Sequence, residues 1–401
     1  MTLEIEKLGG ELDQMAKTAA EVSRNQLHRA IQLQELLKEH ATDWEGIRAG
    51  LQRGEELGDE KYFRAAAPFS ESEPLDTPIP AGQPPDRATV IAVDGSQIMP
   101  DRHAAFLYYL INIGIIVYHH GDGRAPDAVS FPHLVYPRVE GDITEDEPGF
   151  DKSEVSIERD RREIDTLANI AAAYQGGPER LLALMDQRLL YWPLAGDRGS
   201  TESVIAAWTR AMQAIHETGA LLAGYIDRPG KRSVVTMLET LLDEADVEWS
   251  KLGRRPLVNQ LTDAGLYATI LGPGERSPVF VDISPANRRF AEGGKHIEVC
   301  FFYLNAGTSN ILVDRERDPV GEARAIARVD IPRWVAEDPG SVAAVHNLIY
   351  DQCCIMRNYP YALSRADEVA VVSRDDEVNL NHLIALYMQR EGMSGEITAK
   401  Q

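Results

Sequence analysis

The chain has 401 residues, of which 44% are hydrophobic, and a formal net charge of −22 at pH 7. This length exceeds what one hydrophobic core usually supports, so we expect two domains or one large domain with an appendage. The negative charge argues against strong non-specific binding to nucleic acid, because phosphate contacts need Lys and Arg to release counterions.

The composition also predicts a reduced, cytoplasmic protein without membrane contact. The most apolar stretch, residues 104–121, is rich in β-branched and aromatic residues and is interrupted by Asn112 and Gly114, which favours strands over a membrane span. The first residues, MTLEIEKLGGELDQ, resemble no export signal. Three cysteines, at 300, 353 and 354, are too few and too poorly spaced for a disulfide framework or a zinc site.

The N-terminal part is predicted to be a helical arm or hairpin over residues 1–64. Apolar residues recur with helical spacing from Leu3 to Leu37, with Gln, Glu, Lys and Ala between them. Such an arm is either a docking surface or a pair of helices packed on its own domain. Six prolines between 65 and 88 then predict an extended linker, so the main domain is expected over 89–395.

The main domain is predicted to begin with three strands and then to alternate helices and strands. Strands joined first by hairpins and later through helices indicate a mixed sheet with helices on its faces, an α/β fold. The predicted strands are 89–94, 104–118, 129–136, the run from 178 that stops at Asp186, 220–227, 278–284, 296–304, 310–315 and 325–331. The predicted helices are 153–174, 201–217, 231–245, 340–357 and 377–391.

An aspartate follows the first of these strands, in the sequence TVIAVDGSQ. Asp94 and Gly95 are explained either by a tight turn, the commonest use of an Asp-Gly pair, or by a metal ligand at the end of a buried strand. Asp186 likewise follows the apolar run LLALM. If the first and fourth strands are neighbours, the two carboxylates lie side by side and repel each other unless a cation intervenes.

Oxygen ligands of this kind suit Mg²⁺ or Mn²⁺. Gly95 would permit a close approach of substrate or backbone, and Ser96 would donate a hydrogen bond beside the metal. Three strands followed by a helix, with acids on strands one and four, is the layout of ribonuclease H-like nucleases. Their third carboxylate comes from the helix, and the pattern alone does not choose among its five acids, Glu154, Glu158, Asp160, Glu163 and Asp165.

Several stretches, in order, resemble the NurA nucleases, which work with the HerA hexameric translocase in DNA end processing. AVDGS at 92–96 looks like the first motif of that family, and LLALMDQRL at 181–189 looks like the second aspartate motif. Similar segments follow at 221–235, 271–280 and 329–338, and the tail at 345–373 contains RNYPYALSRADEVAVVS. The resemblance spans roughly residues 89–390.

The resemblance implies metal ligation by Asp94, Asp186 and a helix glutamate, for which Glu163 is the first choice and Glu158 the second. It also implies that Tyr359 lies at the active site. Eight residues after that tyrosine the family has Ala-His, whereas this chain has Ala366 and Asp367. Asp367 is therefore expected to be a metal ligand with a harder oxygen donor, although the substitution is equally compatible with lost activity.

The activity implied is divalent-metal-dependent phosphodiester hydrolysis of DNA, as an exonuclease with possible endonuclease action, in end resection during double-strand break repair. Two Mn²⁺ or Mg²⁺ ions would activate the attacking water and stabilise the leaving 3′-oxygen. The resemblance also implies a homodimer and a HerA-type partner that grips the DNA, which suits an acidic nuclease. Lys231 and Arg276, beside glycines in predicted loops, are candidates for phosphate contacts.

Two other functions remain open at this stage. An inactive scaffold that docks on a translocase is favoured by Asp367 and by the acidic charge. An ATPase or sugar kinase of the actin-like type shares the fold core, but its phosphate loop has a residue between the acid and the glycine that VDGSQ lacks. No Walker A motif is present.

Overall fold

The computed structural model describes residues 5–59, 63–101, 106–137, 150–177, 179–191, 198–243, 247–252, 260–307 and 325–393. The chain forms two compact units, each made of two separate stretches. Unit 1 contains Met1–Pro84 and Tyr225–Tyr359, and unit 2 contains Pro85–Gly224 and Pro360–Gln401. This division differs from the three consecutive segments expected from the sequence, because each unit combines stretches that lie far apart in the chain.

The strands are β1 (Ala65–Pro68), β2 (Ile79–Pro80), β3 (Ala88–Ile98), β4 (Tyr109–His120), β5 (Asp127–Val135), β6 (Arg180–Met185), β7 (Leu221–Ile226), β8 (Glu275–Arg276), β9 (Phe280–Ile283), β10 (Val299–Asn305) and β11 (Ile326–Pro332). The α-helices are α1 (Gly9–Glu39), α2 (Trp44–Leu57), α3 (Lys152–Ala173), α4 (Arg198–Glu217), α5 (Ser233–Glu239), α6 (Asp263–Tyr267), α7 (Pro285–Glu292), α8 (Arg333–Ala336), α9 (Pro339–Met356), α10 (Tyr361–Ala370) and α11 (Arg374–Arg390).

Unit 2 is built on a mixed sheet in the order β5-β4-β3-β6-β7. The pairs β3–β4 and β4–β5 are antiparallel, whereas β3–β6 and β6–β7 are parallel. Helix α3 packs on β3 and on α4, and α10 packs on β3 and β4. Three antiparallel strands, a helix and a fourth strand parallel to the first form the ribonuclease H-like fold, so the predicted fold class is confirmed.

In unit 1 the strand pairs are antiparallel: β1 pairs with β9, β9 with β10 and β10 with β11. The C-terminal half of α1 packs on this unit through Ala30, Leu33 and Leu37, each 1% exposed. Near the N-terminal end of α1, Leu12 is 45% and Met15 is 62% exposed. The predicted arm is therefore a helix that is anchored at its C-terminal half.

Most of the segment predicted as a linker, residues 65–84, is part of unit 1 rather than a free connection. Ala65 and Ala66 are fully buried, and β1 pairs with β9 from Ala65–Ile283 to Pro68–Phe280. Proline is compatible with a strand that pairs on one side, because its missing N–H then faces away from the ladder. The linker prediction is therefore wrong for this stretch, where proline content concealed an edge strand.

Most other predicted elements lie within a few residues of their observed bounds, but three differences matter. Strand β3 continues four residues beyond the predicted end at Asp94. Helix α5 ends at Glu239, earlier than expected, and helix α10 was not predicted. The predicted strand 310–315 lies outside the described residues. Among the helices of the described residues, none combines the length and the apolar character needed to cross a membrane.

Candidate active site

Asp94 lies inside a strand, not in a turn. Its parallel neighbour β6 pairs with β3 only as far as Val93 opposite Met185, while β4 continues to pair with β3 up to Ile98. Asp94 is therefore the first residue of β3 that has no pairing partner on the β6 side, while it still pairs with β4 on the other side. The explanation of Asp94-Gly95 as a tight turn is wrong, and the Asp94 carboxylate stands beside an opening in the sheet.

Asp186 lies next to this opening, because the first and fourth strands of the main domain, β3 and β6, are neighbours. The last residues that pair between β3 and β6 are Val93 and Met185, and each is followed directly by an aspartate, Asp94 and Asp186. Burial raises the pKa of Asp94 to about 6; a hydrogen bond from the Gly95 amide (2.8 Å) opposes this, while the charges of Asp186 and Asp367 add to it. The charges of Asp186 and Asp367 thus disfavour ionisation of Asp94.

Glu163, and not Glu158, is the α3 acid that lies at the opening. An ideal Cβ on Gly95 would be 2.5 Å from Glu163 Oε1, so the glutamate covers the backbone at this position. Burial raises the pKa of Glu163 well above its ordinary value; Arg159 opposes this, whereas Asp160, Asp94 and Asp186 add to it. Glu158 instead forms ion pairs with Arg161 and Arg162, at 2.8 and 2.7 Å.

Asp367 reaches the site from α10, on the opposite face of the sheet from α3. Asp94 pairs with Gly114 of β4, and a Cβ on Gly114 would collide with the α10 backbone at Ala366 and Ala370. Because side chains alternate along a strand, Asp94 faces α10 while Gly95 faces α3. The Asp367 side chain is within hydrogen-bonding reach of Asp94.

Three of the predicted acids therefore interact electrostatically with Asp94: Glu163, Asp186 and Asp367. Within the described residues, no three His, Cys, Asp or Glu side chains form a ready-made cluster for a metal ion. The donor set nevertheless fits a hard divalent cation, because carboxylate oxygens are the ligands that such ions prefer. Burial raises the pKa values of Asp94 and Glu163, and neighbouring carboxylates raise them further; a divalent cation would offset both effects.

Tyr359 belongs to unit 1 and lies half-buried there, with its ring 5.4 Å from that of Tyr225 in an edge-on contact. Two residues in positive-φ conformations precede it, Arg357 at 62° and Asn358 at 137°. Non-glycine residues rarely adopt these angles, and such conformations concentrate at functional sites. A functional role for Tyr359 stays a prediction.

The three weaker candidates for substrate contacts are engaged within the protein. Ser96 Oγ donates a 2.5 Å hydrogen bond to the Ala370 carbonyl and so attaches β3 to α10. Lys231 Nζ, on a side chain that is 41% exposed, pairs with Asp282 at 3.0 Å. Arg276 lies in β8 instead of an exposed loop, is 5% exposed, and pairs with Glu73 at 2.6 Å. The prediction that Arg276 contacts phosphate is therefore wrong, because its guanidinium is buried.

Sequence reasoning missed the polar residues that hold Glu163. Gln187 Nε2 donates to Glu163 Oε2 at 2.7 Å, and Arg159 Nε is 3.2 Å from Glu163 Oε1. Two signals were available: Gln187 directly follows Asp186, and Arg159 precedes Glu163 by four residues, the spacing at which helix side chains meet.

A family model for the NurA domain matches residues 88–372, more than half of the chain. The chain belongs to the NurA family. The crystal structure of the NurA nuclease from Sulfolobus solfataricus aligns with a TM-score of 0.54 at 13% identity, over 98% of this chain and 98% of that chain. This NurA relative shares the fold.

Two further solved structures are similar over shorter lengths. A second NurA crystal structure aligns with a TM-score of 0.43 at 10% identity, over 78% of this chain and 91% of that chain. The catalytic domain of human endonuclease V aligns with a TM-score of 0.33 at 12% identity, over 74% and 84%. No curated protein matches this chain.

Proposed function

We propose that this NurA protein is a nuclease that hydrolyses phosphodiester bonds of DNA with the help of Mn²⁺ or Mg²⁺. The observation that carries the proposal is the meeting of acids from four elements, β3, α3, the end of β6 and α10, around Asp94. Local packing does not require so many carboxylates at one edge of a sheet, where burial, and after it the charges of neighbouring acids, raise the pKa values of Asp94 and Glu163.

The roles of the residues follow from their positions. Asp94, Glu163, Asp186 and Asp367 would hold two divalent ions, which supply an activated water and stabilise the leaving oxygen. Gly95 has no side chain, so the Glu163 carboxylate can lie directly against the backbone of β3. Gln187 fixes the rotation of the Glu163 carboxylate through one oxygen. Tyr359 is proposed to contact the substrate.

The test is digestion of end-labelled linear duplex DNA, single-stranded DNA and RNA of the same sequence, with Mn²⁺, Mg²⁺ or EDTA. We expect cleavage of DNA by the wild-type protein with Mn²⁺ and its loss in Asp94→Asn. Glu368→Gln is the matched control, because this exposed acid on α10 is adjacent to Asp367 but pairs with Arg365. If the protein cleaved RNA but neither form of DNA, the proposed substrate would be wrong and RNA would take its place.

We also propose that the protein acts in DNA end resection with a HerA-type ATPase, as a homodimer. The formal charge of −22 supports the need for a partner, because an acidic protein gains little affinity from phosphate contacts of its own. Light scattering of the purified protein tests the dimer. Co-elution with the HerA-type ATPase of the same genome, and faster digestion in its presence, test the partnership.

An inactive scaffold is the second candidate, and Asp367 in place of the family histidine is the observation that favours it. It predicts that neither the protein alone nor its mixture with a HerA-type ATPase cleaves DNA. The actin-like alternative has lost its support. Its phosphate loop would have to contain Asp94, Gly95 and Ser96, which instead pair with β4 inside a continuous strand.

A further inference from the structure

Arg159 is the cation already present at the acidic site. Its Nε lies 3.2 Å from Glu163 Oε1, its Nη2 2.7 Å from Asp160 Oδ1, and its Nη1 donates to Gln97 Oε1 at 3.1 Å. The Arg159 side chain is 30% exposed, whereas that of Glu163 is 7% exposed. A guanidinium this close to a buried carboxylate neutralises part of its charge.

We propose that Arg159 is a resident counter-ion that a divalent cation displaces from Glu163, so that Arg159 sets the affinity of the site for metal. This inference rests on the proposed metal-dependent function. It concerns a positioning residue, because Arg159 acts through Glu163 and not on the reacting atoms.

The two oxygens of Glu163 are held differently, and this supports a competition for one of them. Gln187 binds Oε2 through a neutral amide, which stabilises the carboxylate and leaves its charge in place. Arg159 binds Oε1, the oxygen that lies over Gly95. A divalent cation that binds Glu163 through Oε1 must share this oxygen with the guanidinium or take it over.

Arg159 also has a second carboxylate to pair with after displacement. Asp160 accepts a 3.0 Å hydrogen bond from the Tyr191 hydroxyl, and the Tyr191 ring stacks on Trp208 with centroids 4.4 Å apart. The indole of Trp208 donates in turn to the Leu189 carbonyl at 2.9 Å. Asp160 is thus fixed independently of Glu163, so release of Arg159 from Glu163 does not leave its charge unpaired.

The experiment is calorimetric titration of Mn²⁺ into the DNA-free protein, which measures binding without activity. Arg159 Nε donates its hydrogen bond to Asp160 Oδ1 and only ion-pairs with Glu163. Arg159→Met removes the positive charge that competes for Glu163 and should lower the Kd for Mn²⁺ by about tenfold. Arg162→Met is the matched control: Arg162 lies on the same helix, pairs with Glu158, and its removal should leave the Kd unchanged. An unchanged or higher Kd in Arg159→Met overturns the inference.

A second variant moves the affinity in the opposite direction and guards against misfolding of the first. Asp160→Asn keeps the shape of Asp160 but removes the alternative partner of Arg159, so Arg159 should hold Glu163 more strongly and the Kd should rise severalfold. A fall in Kd in this variant contradicts the competition.

The result also separates this inference from the proposed function. If wild-type protein binds Mn²⁺ and Arg159→Met binds it equally, only the counter-ion role fails. If neither protein binds Mn²⁺, both the counter-ion role and the metal-dependent function fail. If Mn²⁺ binds Arg159→Met but not the wild-type protein, the counter-ion role is upheld.

Discussion

Oε1 of Glu163 lies 2.5 Å from the point that a Cβ at Gly95 would occupy. The contact joins the centre of strand β3 to a carboxylate on helix α3. On the other face, Gly114 leaves room for the backbone of α10, which carries Asp367. Gly95 and Gly114, on paired strands, therefore place no side chain of their own on either face of the sheet beside Asp94. Glu163 from α3 and Asp367 from α10 can then approach the same edge.

Gly95→Ala should displace both the Glu163 carboxylate and the Arg159 side chain, because the added Cβ would lie 2.5 Å from Glu163 Oε1 and 2.9 Å from Arg159 Cγ. We expect loss of Mn²⁺ binding by at least about tenfold and a stability loss of about 1–3 kcal/mol from overpacking. Calorimetry and urea denaturation measure the two effects. Gly230→Ala is the control, since its Cβ meets no atom within 4 Å. Unaltered Mn²⁺ binding in Gly95→Ala would show that Glu163 need not lie over the strand.

Glu163→Gln and Glu158→Gln should separate the two glutamates of α3. Glu163→Gln should abolish DNA cleavage and weaken Mn²⁺ binding, because it removes a charge beside Asp94. Glu158→Gln breaks ion pairs with Arg161 and Arg162 and should lower stability by about 1–3 kcal/mol while leaving Mn²⁺ affinity near wild type. If instead Glu158→Gln abolished cleavage and Glu163→Gln did not, Glu158 would be the metal ligand on α3.

Asp94→Asn should stabilise the protein in EDTA at neutral pH. The pKa of Asp94 is raised from 3.8 to about 6 by burial, so its favourable contribution is complete below pH 3.8 and is lost as the pH rises through about 6. Above pH 7 we expect the variant to exceed wild type by about 1–3 kcal/mol, with the difference vanishing near pH 4. Urea denaturation from pH 4 to 8 tests this, and parallel stability curves would contradict it.

Asp367→His places the family residue at this position and should retain Mn²⁺-dependent cleavage, because a neutral imidazole and a carboxylate both ligate Mn²⁺. Asp367→Asn should lower cleavage by about 10- to 100-fold, the range typical for loss of a group that supports a metal site. Glu368→Gln serves again as the control. If Asp367→His gains activity that wild type lacks, the natural Asp367 marks an inactive scaffold.

Arg276→Ala should lower the free energy of unfolding by about 2 kcal/mol, because it leaves Glu73 without its paired guanidinium. DNA binding at low salt should stay at the wild-type level, since Arg276 is 5% exposed. Arg288→Ala, which breaks an exposed pair with Glu55, should change stability by less than about 1 kcal/mol. If Arg276→Ala bound DNA more weakly while its stability was unchanged, the prediction that Arg276 contacts phosphate would be right after all.

The order of elements in unit 2, and the meeting of Asp94 with Asp186, were determined by the sequence. Three apolar runs of strand length, then an amphipathic helix and a fourth apolar run, predict the ribonuclease H-like order, in which the fourth strand pairs in parallel with the first. Carboxylates that follow such runs must then be neighbours, because parallel strands end at the same edge. Local pattern and chain connectivity suffice for these conclusions.

The choice between Glu163 and Glu158 was decided only by the tertiary structure. Both glutamates are less than 10% exposed on one helix, and what distinguishes them is that one lies over Gly95 while the other pairs with arginines. Asp94-Gly95 reads as a turn until β4 supplies pairing partners up to Ile98. Arg276 reads as a loop cation until Glu73, 203 residues away, accepts its hydrogen bonds. Each of these outcomes depends on contacts between distant residues, which local sequence does not encode.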